Sequence, residues 1–270
     1  ISDARRRYSR RGYGKMKLVD VHAHLCDAKF DGKTDETVNA FLSAGVDLVI
    51  NSGFDIASSV KAAEQSARYK NVYFSAGVHP DDASTFDKKT EDILYKLAES
   101  DKCVAIGEIG YDFYWNKSSE EEQTKAFERQ VEIAYTVNKP FVVHSREAHK
   151  KTVDFLKDRK SLLKNGFLLH CYAGSAESVR EIVDLGGYFS LGGVVTFKNA
   201  KKDDVIRAIP SDRLLTETDC PYLAPEPLRG SVNTPANIIY ILEKIAAVRG
   251  EKAETTAEFI RRNAERLFGV

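Results

Sequence analysis

The 270-residue chain lacks several features that would narrow its function at once. It has no excess charge of either sign: 40 Lys and Arg stand against 40 Asp and Glu. Broad electrostatic capture of nucleic acid is therefore not indicated, although a local phosphate pocket stays open. Its four cysteines, Cys26, Cys103, Cys171 and Cys220, are far apart and form no CxxC pair. That pattern excludes a disulfide framework and predicts reduced thiols in a cytoplasmic protein. There is no apolar run long enough to span a bilayer and no secretory signal, so no membrane partner is expected. No glycine-rich phosphate fingerprint follows the first apolar run, which argues against a dinucleotide-binding sheet.

What is present is unevenly distributed. Residues 1–15 carry Arg5, Arg6, Arg7, Arg10, Arg11 and Lys15 against a single acid, Asp3. The remaining residues, 16–270, then have a net charge of about −5. The only methionine, Met16, stands directly before the first strand-like run. Residues 1–15 could be a basic arm for nucleic acid; the stronger expectation is an upstream extension or expression remnant outside the folded domain. The body, in a chain 43% hydrophobic, suits one large domain with a full core, or two small ones. Four of the seven prolines, Pro221, Pro225, Pro227 and Pro235, crowd one segment, which predicts a stiff, shaped loop.

Eight apolar, β-branched runs recur, at residues 18–24, 46–53, 72–79, 103–110, 141–146, 167–172, 188–193 and 214–219. Helical patterns lie between them, at 56–69, 120–138, 175–185 and 237–248. In the second of these Phe127, Val131, Ala134 and Tyr135 recur at helical spacing. A last helix follows, with Thr255 and Glu258 reading as its capping box. Strands alternating with helices at this spacing predict an α/β fold, a single (β/α)8 TIM barrel, with a doubly wound open sheet as the alternative.

In such barrels the C-terminal strand ends build the active site. The first run ends Asp20-Val21-His22-Ala23-His24, and strand alternation puts both imidazoles on one face. Glu108, His144, His170 and Asp219 end, or nearly end, runs of their own, as does His79. Only His149 falls elsewhere, in the helix after the fifth run, where a surface position is expected. Six N and O donors are too many for one tetrahedral zinc and suit two divalent ions, Mg, Mn or Zn. The expected division is His22, His24, Glu108 and Asp219 around one ion and Glu108, His144 and His170 around the other. Glu108 bridges, and Asp219 accepts the proton of a shared water. Glu217, two residues before Asp219, is expected to support a ligand rather than be one. Substrate contacts are expected from His79, Arg146, Tyr111, Asp112, Arg229 and Asn233. Arg146 would hold an anion, and the aromatics that follow Glu108 would stack on a base or sugar.

As a set these motifs resemble a known family. Val19-Asp20-Val21-His22-Ala23-His24, Gly77-Val78-His79-Pro80, Gly107-Glu108-Ile109-Gly110-Tyr111-Asp112, Val143-His144-Ser145-Arg146, Leu169-His170-Cys171-Tyr172-Ala173-Gly174-Ser175 and Glu217-Thr218-Asp219-Cys220-Pro221 are similar to motifs of the TatD family of metal-dependent deoxyribonucleases, within the amidohydrolase-like barrels. Arg229-Gly230, Asn233-Thr234-Pro235 and the ending Asn263-Ala264-Glu265-Arg266-Leu267-Phe268 continue the match in order. The resemblance implies a TIM barrel, two divalent metals and hydrolysis of DNA phosphodiesters, often from a single-stranded or 3′ end. It places metal ligands at His22, His24, Glu108, His144, His170 and Asp219. Ser231-Val232 departs from it, standing where the family is often basic. The rival readings are the same dinuclear site acting on a lactone, a phosphotriester or an aminoacyl ester of tRNA, and a binding module with a structural metal. No obligate protein partner is expected.

Overall fold

The structure, a computed structural model, describes residues 16–270. The basic segment 1–15 lies outside the described residues. Eight strands run in order: β1 (Leu18–Ala23), β2 (Val46–Ser52), β3 (Val72–Ala76), β4 (Cys103–Asp112), β5 (Phe141–Arg146), β6 (Phe167–Leu169), β7 (Gly187–Leu191) and β8 (Leu214–Thr216). Each pairs in parallel with the next, so spatial order equals sequence order. The helices are α1 (Thr34–Ser43), α2 (Ile56–Arg68), α3 (Lys88–Ala98), α4 (Glu120–Thr136), α5 (His149–Asp158), α6 (Val179–Asp184), α7 (Asp203–Ala208), α8 (Ile238–Arg249) and α9 (Ala253–Phe268). This is the expected (β/α)8 barrel. No helix among the described residues is long and apolar enough to cross a membrane.

The seam between β8 and β1 is closed by the chain that continues past β8. Asp219 N–H donates to the His22 carbonyl at 2.9 Å, and His24 N–H donates to the Cys220 carbonyl at 2.8 Å. Below them the Thr216 hydroxyl donates to the Val19 carbonyl, and Asp20 accepts from the Thr218 amide and hydroxyl. Asp20 is completely buried, and burial pushes its carboxyl up to about 8 despite those hydrogen bonds.

Two irregularities aim side chains inward. Between Ile106 and Ile109, three residue steps of β4 face two of β5. Between Asp20 and Ala23, three steps of β1 face two of β2. Such bulges bend a strand and redirect the residues at the bend, and here those residues include Glu108 and His22.

Helix α4 begins with a capping box, in which Ser119 and Glu122 satisfy each other's amides. Its buried face does more than pack Phe127 and Val131. The Gln123 amide holds both the N–H and the carbonyl of Asp112, and the Gln130 amide holds both backbone groups of Val78. The helix therefore fixes the chain just before His79 and at the end of β4. Tyr135 is not on that face; it is exposed, with the Lys164 ammonium 4.2 Å from its ring centre.

Several sequence expectations shift. The strand-like runs at 167–172 and 214–219 are strand only as far as Leu169 and Thr216. The helix expected over 175–185 shortens to Val179–Asp184. Thr255 does not cap α9, whose cap position is Lys252, three residues earlier. The reason is local: the Thr256 amide already bonds the Lys252 carbonyl, so Thr255 lies inside the first turn.

Candidate metal centre

Four imidazoles and two carboxylates meet at the C-terminal end of the barrel. His24 Nδ1 lies 2.8 Å from the Ser52 carbonyl, which only accepts, so that nitrogen carries the proton. Its Nε2 then turns a lone pair inward, 3.2 Å from His22 Nε2 and 3.2 Å from Asp219 Oδ1. His22 Nδ1 is held by the Ser52 hydroxyl at 3.1 Å. His144 gives Nε2 to Asp112 Oδ2 at 3.0 Å and turns Nδ1 inward. His170 turns Nε2 inward, while its Nδ1 faces Glu217 Oε1 at 3.7 Å. The other Glu217 oxygen accepts from the Ser190 hydroxyl at 2.5 Å. His22, His24 and His144 are thus each oriented by a hydrogen-bond partner on the outer nitrogen, the arrangement that tunes and aims metal-binding histidines, whereas His170 Nδ1 has only the Glu217 charge beyond hydrogen-bond distance.

Glu108 sits among them, its side chain 5% exposed. Oε2 lies 3.4 Å from His22 Nε2 and 3.7 Å from His24 Nε2. Oε1 lies 2.7 Å from His144 Nδ1 and 2.8 Å from His170 Nε2. Asp219 takes a left-handed backbone, φ 53°, which is uncommon for a residue with a side chain. Its carboxylate is more open than that of Glu108, at 15% against 5%.

The donor set fits divalent cations. Imidazole lone pairs and carboxylate oxygens cannot crowd within 3–4 Å of one another unless positive charge lies among them. Without metal that charge is protons. Burial alone would lower the His24 pKa; the Asp219 hydrogen bond and the two carboxylates outweigh it and hold it well above an ordinary imidazole. His170 behaves alike, with burial overcome by Glu108. Burial would raise Glu108, but the histidines around it, His170 first, hold it well below a usual carboxyl. Three donor groups cluster tightly enough to share ions: His22, His24 and Asp219; His22, Glu108 and His170; and His79, Asp112 and His144.

His79 differs from the others. Its Nδ1 accepts from the Asp81 amide at 3.1 Å, so in the neutral ring the proton is on Nε2. Burial, then the neighbouring His144, push its pKa down to about 3. It therefore offers an N–H into the site, suited to an anion rather than a metal.

The other expected substrate contacts divide. Arg146 is exposed, stacked on Tyr114, and hydrogen-bonded through its carbonyl to Phe113. Arg229 is also exposed, but its guanidinium lies 4.2 Å from the Phe197 ring centre, in a cavity of about 340 Å³ that none of the clustered histidines lines. Four expectations need correction. Tyr111 is wholly buried between Phe113, Phe127 and Phe155, its hydroxyl on Thr124, so its ring offers no face for stacking. Asn233 is wholly buried too, and its amide ties the Thr218 and Tyr222 carbonyls, bracing the proline-rich loop. Asp112 is buried and orients His144, so it acts through that ring. His149 is not a surface residue: it is partly buried, with Nε2 unpartnered beside a cavity of about 310 Å³ shared with Ser145, His170 and Tyr172. Sequence reasoning missed Ser52 and Ser190. The signal was available, since both stand at or near the end of a strand-like run, like the histidines they serve.

A model of the TatD related DNase family matches residues 19–269. The chain belongs to the TatD family. A Bacillus subtilis (strain 168) relative, the uncharacterized metal-dependent hydrolase YabD, is 39% identical over 94% of this chain and 99% of its own length. The 3'-5' ssDNA/RNA exonuclease TatD of Escherichia coli (strain K12) is 34% identical, again covering 94% of this chain and 99% of its own. Among solved structures, the TatD homolog YJJV from Escherichia coli K12 superposes with a TM-score of 0.88 at 27% identity, covering 94% of this chain and 98% of that one. The protein is thus a TatD-family hydrolase, and divalent metal use accords with both the relatives and the clustered donors.

Proposed function

We propose that the protein is a two-metal deoxyribonuclease that removes nucleotides from single-stranded or 3′ ends of DNA. The observation that carries this is Glu108, whose two oxygens face different histidine pairs, His22 with His24 and His144 with His170. In that position Glu108 would serve both ions, with Asp219 joining His22 and His24 as the residues that would hold one of them. Divalent ions held there supply a nucleophilic water at neutral pH and neutralise charge on a phosphoryl oxygen. The residues of the chain do the rest. Asp219, the more open carboxylate, takes the proton from the attacking water as the P–O bond to the departing 3′ oxygen breaks, and that oxygen takes a proton from solvent. His79 donates Nε2–H to a phosphate oxygen, and Arg146 holds a neighbouring phosphate. Arg229, an exposed cation on the rim, meets the strand further out.

The relatives support nucleic acid as substrate, one being named a ssDNA/RNA exonuclease. End-labelled single-stranded DNA, RNA and a generic ester, each incubated with Mg, Mn or Zn, test the reading together. Stepwise shortening of DNA from its 3′ end is expected. Turnover of the ester alone would move the same site to another substrate class.

A further inference from the structure

The loop after β4 exposes two large aromatic side chains beside the metal centre. Tyr114 is 51% and Trp115 56% exposed, although residues of this size usually bury most of their surface. Their rings meet edge to face, 4.9 Å apart. The Arg146 guanidinium lies 4.0 Å from the Tyr114 ring centre and 5.5 Å from that of Trp115. Among the described residues that guanidinium makes no hydrogen bond or ion pair, so its N–H groups stay free for a ligand. Lys117, paired with Asp81 at 2.9 Å, puts a second cation 5.9 Å from the Trp115 ring centre.

The placement is fixed by the same carboxylate that orients a metal-facing ring. Asp112 Oδ1 accepts from the Tyr114 and Trp115 amides at 2.9 and 2.8 Å, while Oδ2 holds His144 Nε2 at 3.0 Å. The β4–β5 register sets Asp112 against Arg146. Aromatic faces flanked by cations are how proteins take up single strands, because every base has a π-face and every nucleotide a phosphate.

We propose that Tyr114, Trp115 and Arg146 form a stacking platform that seats an unpaired nucleobase next to the scissile bond, with Arg146 on the adjoining phosphate. This rests on the nuclease reading above and adds to it a reason for selecting unpaired ends: in a blunt duplex the terminal base is already stacked and paired, and is not free to lie on the ring.

The test uses a feature of the chain itself. Trp115 is its only tryptophan, so tryptophan fluorescence, excited to the red of tyrosine absorption, reports this site alone. The metal-loaded protein is titrated with a phosphorothioate-backbone single strand, the same strand carrying abasic sites at its 3′ end, and a blunt duplex. The expected result is quenching by the intact strand, with affinity about tenfold or more weaker for the abasic strand and the duplex, the scale of one lost stacking contact. By anisotropy of a labelled strand, Trp115→Ala should bind intact and abasic strands alike, and Trp115→Phe should restore most of the difference. Equal affinity of the native protein for intact and abasic strands overturns the platform, even if DNA is cleaved. Base-dependent quenching without cleavage of any nucleic acid keeps the platform and removes the nuclease reading.

Discussion

At the residue scale, Glu108 is a buried and Asp219 a half-buried carboxylate near His22, and they should fail differently. Glu108 serves both halves of the cluster through separate oxygens, 3.4 Å from His22 and 2.7 Å from His144. Glu108→Ala should therefore deplete both ions, of the about two expected per chain, by elemental analysis. Full metal content in that variant would remove Glu108 as the bridge. Asp219 touches only the His22–His24 side and is the more solvent-accessible of the two. Asp219→Asn keeps the shape and one neutral oxygen but loses the base, so kcat should fall on the order of 10² or more while oligonucleotide binding persists. Near-normal turnover with metal retained would shift the proton acceptor to Glu108, since His79 already presents an N–H. Arg146→Ala gives the contrasting pattern, a raised KM with a shallower salt dependence, as when one phosphate contact is lost.

At the element scale, what was legible in the sequence follows from what repeats. Strand alternation and strand-end position brought His22, His24, Glu108, His144, His170 and Asp219 to one end of one barrel, where the structure has them. The repeat is read from apolar spacing, and spacing carries no information on bulges. Nothing in Gly107-Glu108-Ile109 announces the extra residue that bends β4, because the bulge depends on pairing with β5. Nor does spacing separate a stacking ring from a core ring: Tyr111 and Trp115 are four residues apart, one wholly buried and the other 56% exposed. The buried amides of Gln123 and Gln130 were invisible for the same reason, since their partners lie on other elements. Gly110 tests the tight β4–β5 contact. A Cβ there would meet the His144 carbonyl oxygen at 2.1 Å, on a backbone with φ 140° that side chains rarely adopt. Gly110→Ala should cost on the order of 2 kcal/mol or more in denaturant unfolding, because strain and overpacking add. It should also lower metal content, since the displaced carbonyl belongs to a proposed ligand. A variant matching the native protein in both would show that the strands can part without disturbing the site.

At the scale of the whole molecule, the proposed ligands come from β1 and the residue after it, from β4 and β5, and from the segments that follow β6 and β8, so metal binding would tie the barrel across its circumference. The β8–β1 seam gains most, because His22 and His24 stand on one side of it and Asp219 on the other, already joined by the Asp219 amide and the His22 carbonyl. An unfolded chain scatters these donors over nearly two hundred residues and cannot present them together, so metal should bind the native state far better. Linkage then sets the size of the effect. Free metal at a hundred times its Kd stabilises by about 2.7 kcal/mol per site. For a domain of this length that corresponds to a rise in Tm of about 5 °C or more. Thermal unfolding with saturating Mn or Zn, against the same protein in chelator, should show a rise of that size. In Glu108→Ala the rise should collapse, which separates binding in the cluster from loose association with surface acids. A native protein whose Tm ignores metal at concentrations that support full turnover would mean that the ions bind somewhere other than among these six side chains.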